Sequence, residues 1–258
     1  MTVQSNRLIL PDNPGAFGLT PETCPVAVAA ALLWTYASPN DLYRTLNSAG
    51  LTNVASGKPY SVAEIKRVVQ ELRQRRLIDD EPDARQVPDG KLVDSLRVPL
   101  YRHLLQTNRG SELVRIISDT FRSNLSYSSY YWGLGQLASI AYFRAKYFSG
   151  ATFQEIAAEA NSYARTYDWS SLLFLALVDG FDGASFEFLE PNNRWQLAHQ
   201  SMAALCLYWV EEYLPIADWL NRQFAERPAE LPQDIRLIIG DLAFQRGDRP
   251  LLAAATAG

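Results

Sequence analysis

Cysteine and histidine are scarce: the 258 residues hold two of each, Cys24 and Cys206, His103 and His199. So few thiols argue against a disulfide framework, which small secreted scaffolds build from many cystines in a short chain. Structural zinc loses its ligands with them. A tetrahedral site draws about four Cys or His side chains at short spacings, and neither C-x-x-C nor H-x-x-x-H occurs. Lysine is also rare, 4 against 20 Arg, a bias that a GC-rich genome produces without functional meaning. None of Lys58, Lys66, Lys91 and Lys146 closes a G-x-x-x-x-G-K phosphate loop, so intrinsic NTP hydrolysis of that type is not expected. Long apolar runs are missing too. The stretch from Pro25 to Leu33 is about half of the roughly 20 residues a membrane helix needs, and reads as a core helix. Met1 to Leu10 lacks the apolar region of a signal peptide, which places the expected location in the cytoplasm with no membrane partner.

What is present suits a folded, soluble chain. Hydrophobic residues make up 48%, Gly and Pro number 14 each, and the net charge is −4, which excludes disordered and collagen-like classes. The charge is uneven. Residues 1–100 carry 11 basic and 11 acidic side chains, and 101–258 carry 13 and 17, so the whole deficit lies in the second part. Texture changes at the same place. Short helical patterns and a Pro/Asp/Gly-rich segment give way to long helical periodicities broken by brief loops. A mainly α protein in two parts is expected, 1–96 and 97–258.

In the first part, Thr20-Pro21-Glu22-Thr23 supplies start signals for a helix carrying Val26, Ala27, Ala30, Leu33 and Trp34. Ser38 caps a second helix with Pro39 at its first position, and Gly50 closes it. Ser61 and Glu64 form a capping box for a third helix, running to about Arg76. Its Val62, Ile65, Val68, Val69 and Leu72 share one face to be buried. Lys66, Arg67, Gln70, Arg73 and Gln74 fall on a neighbouring arc, which offers cations for phosphates and amide or guanidinium groups for base edges. Residues 76–79 then read as a short strand and 91–93 as its return, with turn residues at 87–90.

This order and the segment from Ser61 to Asp79, S-V-A-E-I-K-R-V-V-Q-E-L-R-Q-R-R-L-I-D, resemble winged helix-turn-helix domains over about residues 25–94. Arg76 stands where that family usually has Gly before the strand. The resemblance implies DNA binding through the third helix: Lys66, Arg67, Gln70 and Arg73 as its contacts, with Arg75, Arg76 and Lys58 on the backbone. Helix three is locally +3, from five basic and two acidic residues between 61 and 76. Two things oppose DNA. The part as a whole is neutral, and Asp79, Asp80, Glu81, Asp83 and Asp89 put five acids where a wing would approach phosphates. The alternative is a winged helix that docks a protein partner, including as the regulatory part of a larger ATPase or helicase.

The second part predicts helices near 97–107, 111–124, 130–148, 152–167, 169–181, 192–213, 216–226 and 233–246, an irregular repeat or bundle that docks protein subunits. Residues 234–248 resemble the first helix of a tetratricopeptide-type repeat, with Leu237, Gly240 and Ala243 at its packing positions. Pro250 to Gly258 is expected as a short capping helix or the start of a missing partner. Eight aromatics crowd residues 127–148, and the consecutive Tyr130, Tyr131 and Trp132 cannot all face inward, so they are the candidate partner anchor.

Other patterns carry no chemistry. Gly133-Leu134-Gly135 with Ala138 matches a dinucleotide motif in letters but lacks its strand context. Asp179 to Gly183 is half of a calcium loop out of register, and reads as a turn. His199 with Glu211, Glu212 or Cys206 makes a set only if folding converges them, and no spacing pairs Glu155, Glu159, Asp168, Glu187 or Glu190. No catalytic residue, metal or cofactor is expected. The sequence reads as a non-enzymatic DNA-binding or scaffolding subunit of a bacterial DNA-processing, regulatory or phage-defence system.

Overall fold

The computed structural model describes residues 8–80, 90–125, 132–156, 158, 174–208 and 211–256, and they are mainly helical. The chain divides into two compact units, Met1–Gly180 and Phe181–Gly258.

In the first unit, α1 (Cys24–Leu33) is apolar all round, and each of its ten residues is buried. A helix without a polar face belongs at the centre, and α1 packs against α2 (Pro39–Ser48), α4 (Asp94–Thr107) and α6 (Trp132–Phe148). Burial pushes the Cys24 thiol up to about 11. Helix α5 (Gly110–Leu125) lies on α2 and α6. The boundary expected at 96/97 therefore falls inside this unit, because the helices on either side of it share the α1 core.

Local chemistry sets the helix ends. Ser38 and Asp41 make a reciprocal capping box on α2, and Ser61 and Glu64 make one on α3 (Val62–Gln74). Three of the first unit's helices end on left-handed backbone: α2 at Gly50 (φ 65°), α1 at Trp34 (φ 69°) and α3 at Arg76 (φ 57°). At Arg76 the turn is a Schellman motif, with Arg76 N–H donating to Arg73 O at 2.9 Å and Leu77 N–H to Leu72 O at 2.9 Å.

The chain then enters an antiparallel ribbon, β1 (Ile78–Asp80) and β2 (Gly90–Leu92), in the register Ile78↔Leu92 and Asp79↔Lys91. Ala37, between α1 and α2, adds a bridge to Gly90 on the ribbon's other edge. A single π-helical turn, Phe174–Val178, closes the unit.

The second unit holds a short α7 (Gly183–Phe186), α8 (Pro191–Tyr208), α9 (Leu214–Glu226), α10 (Gln233–Arg246) and α11 (Arg249–Thr256). Its core includes an aromatic group, with the Phe186 and Trp219 rings edge to face at 5.3 Å and Trp195 tilted against Trp219 at 6.0 Å. Helix α11 lies over Gly240, where Ala255 and Leu252 come within 3.6 and 3.8 Å of the position a Cβ would take. Gly240 and Ala243 are buried as packing positions should be, but Leu237 is 55% exposed. Among the described residues no helix is long and apolar enough to cross a membrane.

Candidate functional site

Helix α3 presents two faces. Ile65, Val68, Val69 and Leu72 are buried, and Lys66, Arg67, Gln70 and Gln74 are exposed on the outer side, with Arg73 half-buried among them. The side chains of Lys66 and Arg67 make no hydrogen bond or ion pair among the described residues. Arg73 Nη1 donates to Gln70 Oε1 at 3.4 Å. Arg75 is more committed: its Nη2 donates to Gly18 O, and its Nη1 lies 4.0 Å from Glu71 Oε1. Arg76 and Lys58 are exposed, Arg76 on the left-handed turn and Lys58 in the loop before α3.

The loop and the helix are tied at Glu64. Its carboxylate accepts from Ser61 N–H at 2.7 Å, Ser61 Oγ at 2.6 Å and Asn53 Nδ2 at 2.7 Å. The Ser61 bonds, with Asn53 and nearby Arg67 adding less, hold this carboxyl below the usual range. Asn53 Oδ1 in turn accepts from the Ala55 and Ser56 backbone, so one acid orients the cap, the preceding turn and the helix. Glu64 is thereby occupied at the helix start, and the exposed arc keeps its positive sign.

The acids expected nearby fall in different places. Asp79 is exposed and pairs in register with Lys91, and Asp80 ends β1. Glu81, Asp83 and Asp89 lie outside the described residues, as do Tyr130 and Tyr131. Trp132 starts α6, with its side chain outside them as well. Gly133 to Ala138 run within α6. Asp179 and Gly180 form a turn, and Asp182 caps α7 by accepting from Ser185 N–H at 2.9 Å. Among the described residues no three His, Cys, Asp or Glu side chains converge as a metal site. His103 packs its ring edge-on to Phe17 at 6.3 Å, with Nε2 buried.

A second polar cluster, centred on the buried Arg97 and Arg144, was not signalled by any local pattern. The Arg144 guanidinium lies 3.3 Å over the Trp34 ring and 4.3 Å over Tyr101, and Arg97 lies 4.1 Å over Trp34 from α4. Arg97 is wholly buried. It donates to Trp34 O at 2.5 Å, to Asp179 Oδ2 at 3.0 Å and to Asp94 Oδ1 at 2.6 Å. Asp179 also accepts from Lys91 Nζ at 2.9 Å, and Arg144 Nη1 donates to Ala176 O at 2.7 Å. Gly180 makes room: its φ is +66°, and a Cβ there would stand 2.6 Å from Arg97 Nη2. Burial lowers Arg144 to about 9, which leaves it cationic at neutral pH, and raises the Tyr101 phenol to about 12. With three cations against two carboxylates and all five in mutual contact or stacked on rings, the cluster acts as a fastener of β2, α4 and the 174–178 turn around Trp34.

No protein-family model, curated protein or solved structure matches the chain.

Proposed function

We propose that residues 25–94 form a winged helix whose third helix, α3, binds duplex DNA. The wider protein is then a non-enzymatic cytoplasmic subunit of a bacterial DNA-processing, regulatory or phage-defence assembly, with the helices after residue 96 docking other subunits. One observation carries the reading: Lys66 and Arg67 stand exposed on α3 beside its buried face and make no hydrogen bond or ion pair among the described residues, Arg67 only feeling Glu64 at longer range. Such cations on a rigid helix can release counterions from phosphates without first breaking a close ion pair among the described residues, and Gln70 one turn on can address base edges. The order of three helices, left-handed turn and two-stranded ribbon, with an isolated Ala37 bridge at its edge, supports the fold assignment.

The test is a low-salt mobility shift of the full chain on duplex DNA. Lys66→Ala, Arg67→Ala and Arg73→Ala together should abolish retention, and each single change should lower the slope of log affinity against log salt by about one. Unaltered retention by the triple variant sinks the proposal. A protein-docking role for the same face is favoured by exposed Asp79 and by the commitment of Arg75 to Gly18 and Glu71, both of which weaken phosphate attraction. That reading gains if the unaltered chain shows no retention.

A further inference from the structure

Helix α10 of the second unit carries large apolar side chains that are exposed among the described residues. Leu237 and Phe244 stand seven residues apart on α10, two turns along one side, and are 55% and 72% exposed. Leu207, near the end of α8, is 74% exposed. Gln245 Nε2 of α10 donates to Cys206 O at 3.2 Å, which sets Leu207 beside the Phe244 end of that face. Scattered apolar side chains on a surface mean little, but three large ones gathered along one helix form a patch.

A row of exposed acids borders the patch on one side. At 100° per residue, exposed Asp234 and Asp241 form a second row beside the Leu237–Phe244 row, again seven residues apart. Asp248 follows just past the helix end. Burial raises the Cys206 thiol, Asp241 adds to it, and Arg246 opposes it. Both arginines of α10, Arg236 and Arg246, fall on other arcs. Helix α11 lies on the Gly240 side and α8 on the other, so the open face is the outer side of α10 between two neighbours.

We propose that this face docks an amphipathic helix of a partner protein, with apolar residues at seven-residue spacing flanked by lysine or arginine. Apolar side chains two turns apart on α10 suit side-by-side packing with a helix that repeats them at the same spacing. The aspartate row sets the partner's sign and register. A second copy of this chain would bring no basic row of its own to meet the aspartates, since the same face carries Asp234 and Asp241. The site is independent of α3 and does not rest on DNA binding.

The probe is a fluorescein-labelled helical peptide of about sixteen residues with leucine at the i, i+3, i+4 and i+7 positions and lysine elsewhere, beside a twin with glutamate for lysine. Fluorescence anisotropy with the full chain should show the lysine peptide binding at least about tenfold more tightly than the glutamate one. Raising salt from about 0.1 M to about 1 M, where the screening length falls from ~10 to ~3 Å, should narrow that gap. Leu237→Ser with Phe244→Ser should weaken binding at least about tenfold, since two large apolar side chains leave the contact. Asp234→Lys with Asp241→Lys should move the preference to the glutamate peptide, and both sites are exposed enough that folding is kept. That arm is measured with Lys66→Ala and Arg67→Ala present, so that α3 cannot capture the acidic probe. Equal binding of the two peptides, no binding, or indifference to the serine changes overturns the proposal. So does a dimer in sedimentation that Phe244→Ser dissolves.

Discussion

Among the described residues, two other than glycine hold left-handed backbone, Trp34 and Arg76, and they differ in what offsets the strain. Trp34 is fixed by its stacked guanidinium partners and by the bond from Arg97 to its carbonyl. Arg76 is exposed and has no such support. A left-handed non-glycine residue costs about 1–2 kcal/mol, and glycine returns part of that through its own entropy, so Arg76→Gly should stabilise the protein by about 0.5–1 kcal/mol. The melting temperature should rise by roughly 2 °C, while DNA retention weakens if Arg76 meets phosphate. A lower or unchanged melting temperature would contradict the strain argument. Asp179 supplies the pH-dependent case. Burial pushes its carboxyl up, but Arg97 first and Lys91 second outweigh burial and bring it below its ordinary 3.8. A carboxylate lowered in the folded state contributes stability above its unfolded pKa and loses it as pH falls through the folded value. Asp179→Asn should therefore cost about 3 kcal/mol at pH 7, because Arg97 keeps its charge in a buried place, and the deficit should shrink below about pH 4. Denaturant titrations at pH 7 and pH 3 measure both parts. The Arg76 position could be read from sequence because a cap is a local motif with a known preference for glycine. The Trp34 cluster could not, since Arg97, Arg144 and Asp179 reach it from separate segments and no spacing links them.

Helix α3 owes its start to Ser61 and Glu64, and the capping box was evident in four residues of sequence. Ser61→Ala should destabilise the protein by about 1 kcal/mol and leave the intrinsic affinity of the helix face unchanged at low temperature, which separates stability from contact in the mobility shift. Glu64→Gln tests the Asn53 tie in the same way. Other elements were less legible. Helix α11 was expected only as one of two endings, and the Ala37 bridge was not anticipated, because one bridging residue has no strand pattern. The exposure of Leu237 also departs from its expected packing role. A tetratricopeptide-like pattern assumes neighbours on both sides of the helix, and α10 has an uncovered side.

The division of the chain is where the reading of texture and the packing part company. Charge and periodicity change near residue 100, whereas compactness changes at 180, because composition records exposure to solvent and compactness records which cores are shared. Helices α4 to α6 look like the second part in sequence and belong to the core of the first. The net charge of −4 opposes a polyanion at long range, so any DNA affinity rests on the local +3 of α3 and must be strongly salt-sensitive.

The two thiols give these arguments a clock. Cys24 sits in fully buried α1 within the first unit, and Cys206 is half-buried on α8 within the second. A thiol reagent can reach Cys24 only when the α1 core opens, so its alkylation rate under native conditions reads the opening free energy of the first unit, while half-buried Cys206 serves as an accessible reference from its own peptide. Asp179→Asn should speed labelling of Cys24 and leave Cys206 at its original rate. Two cysteines, too few to hold the fold together, are enough to time the opening of the first unit against a thiol that needs none.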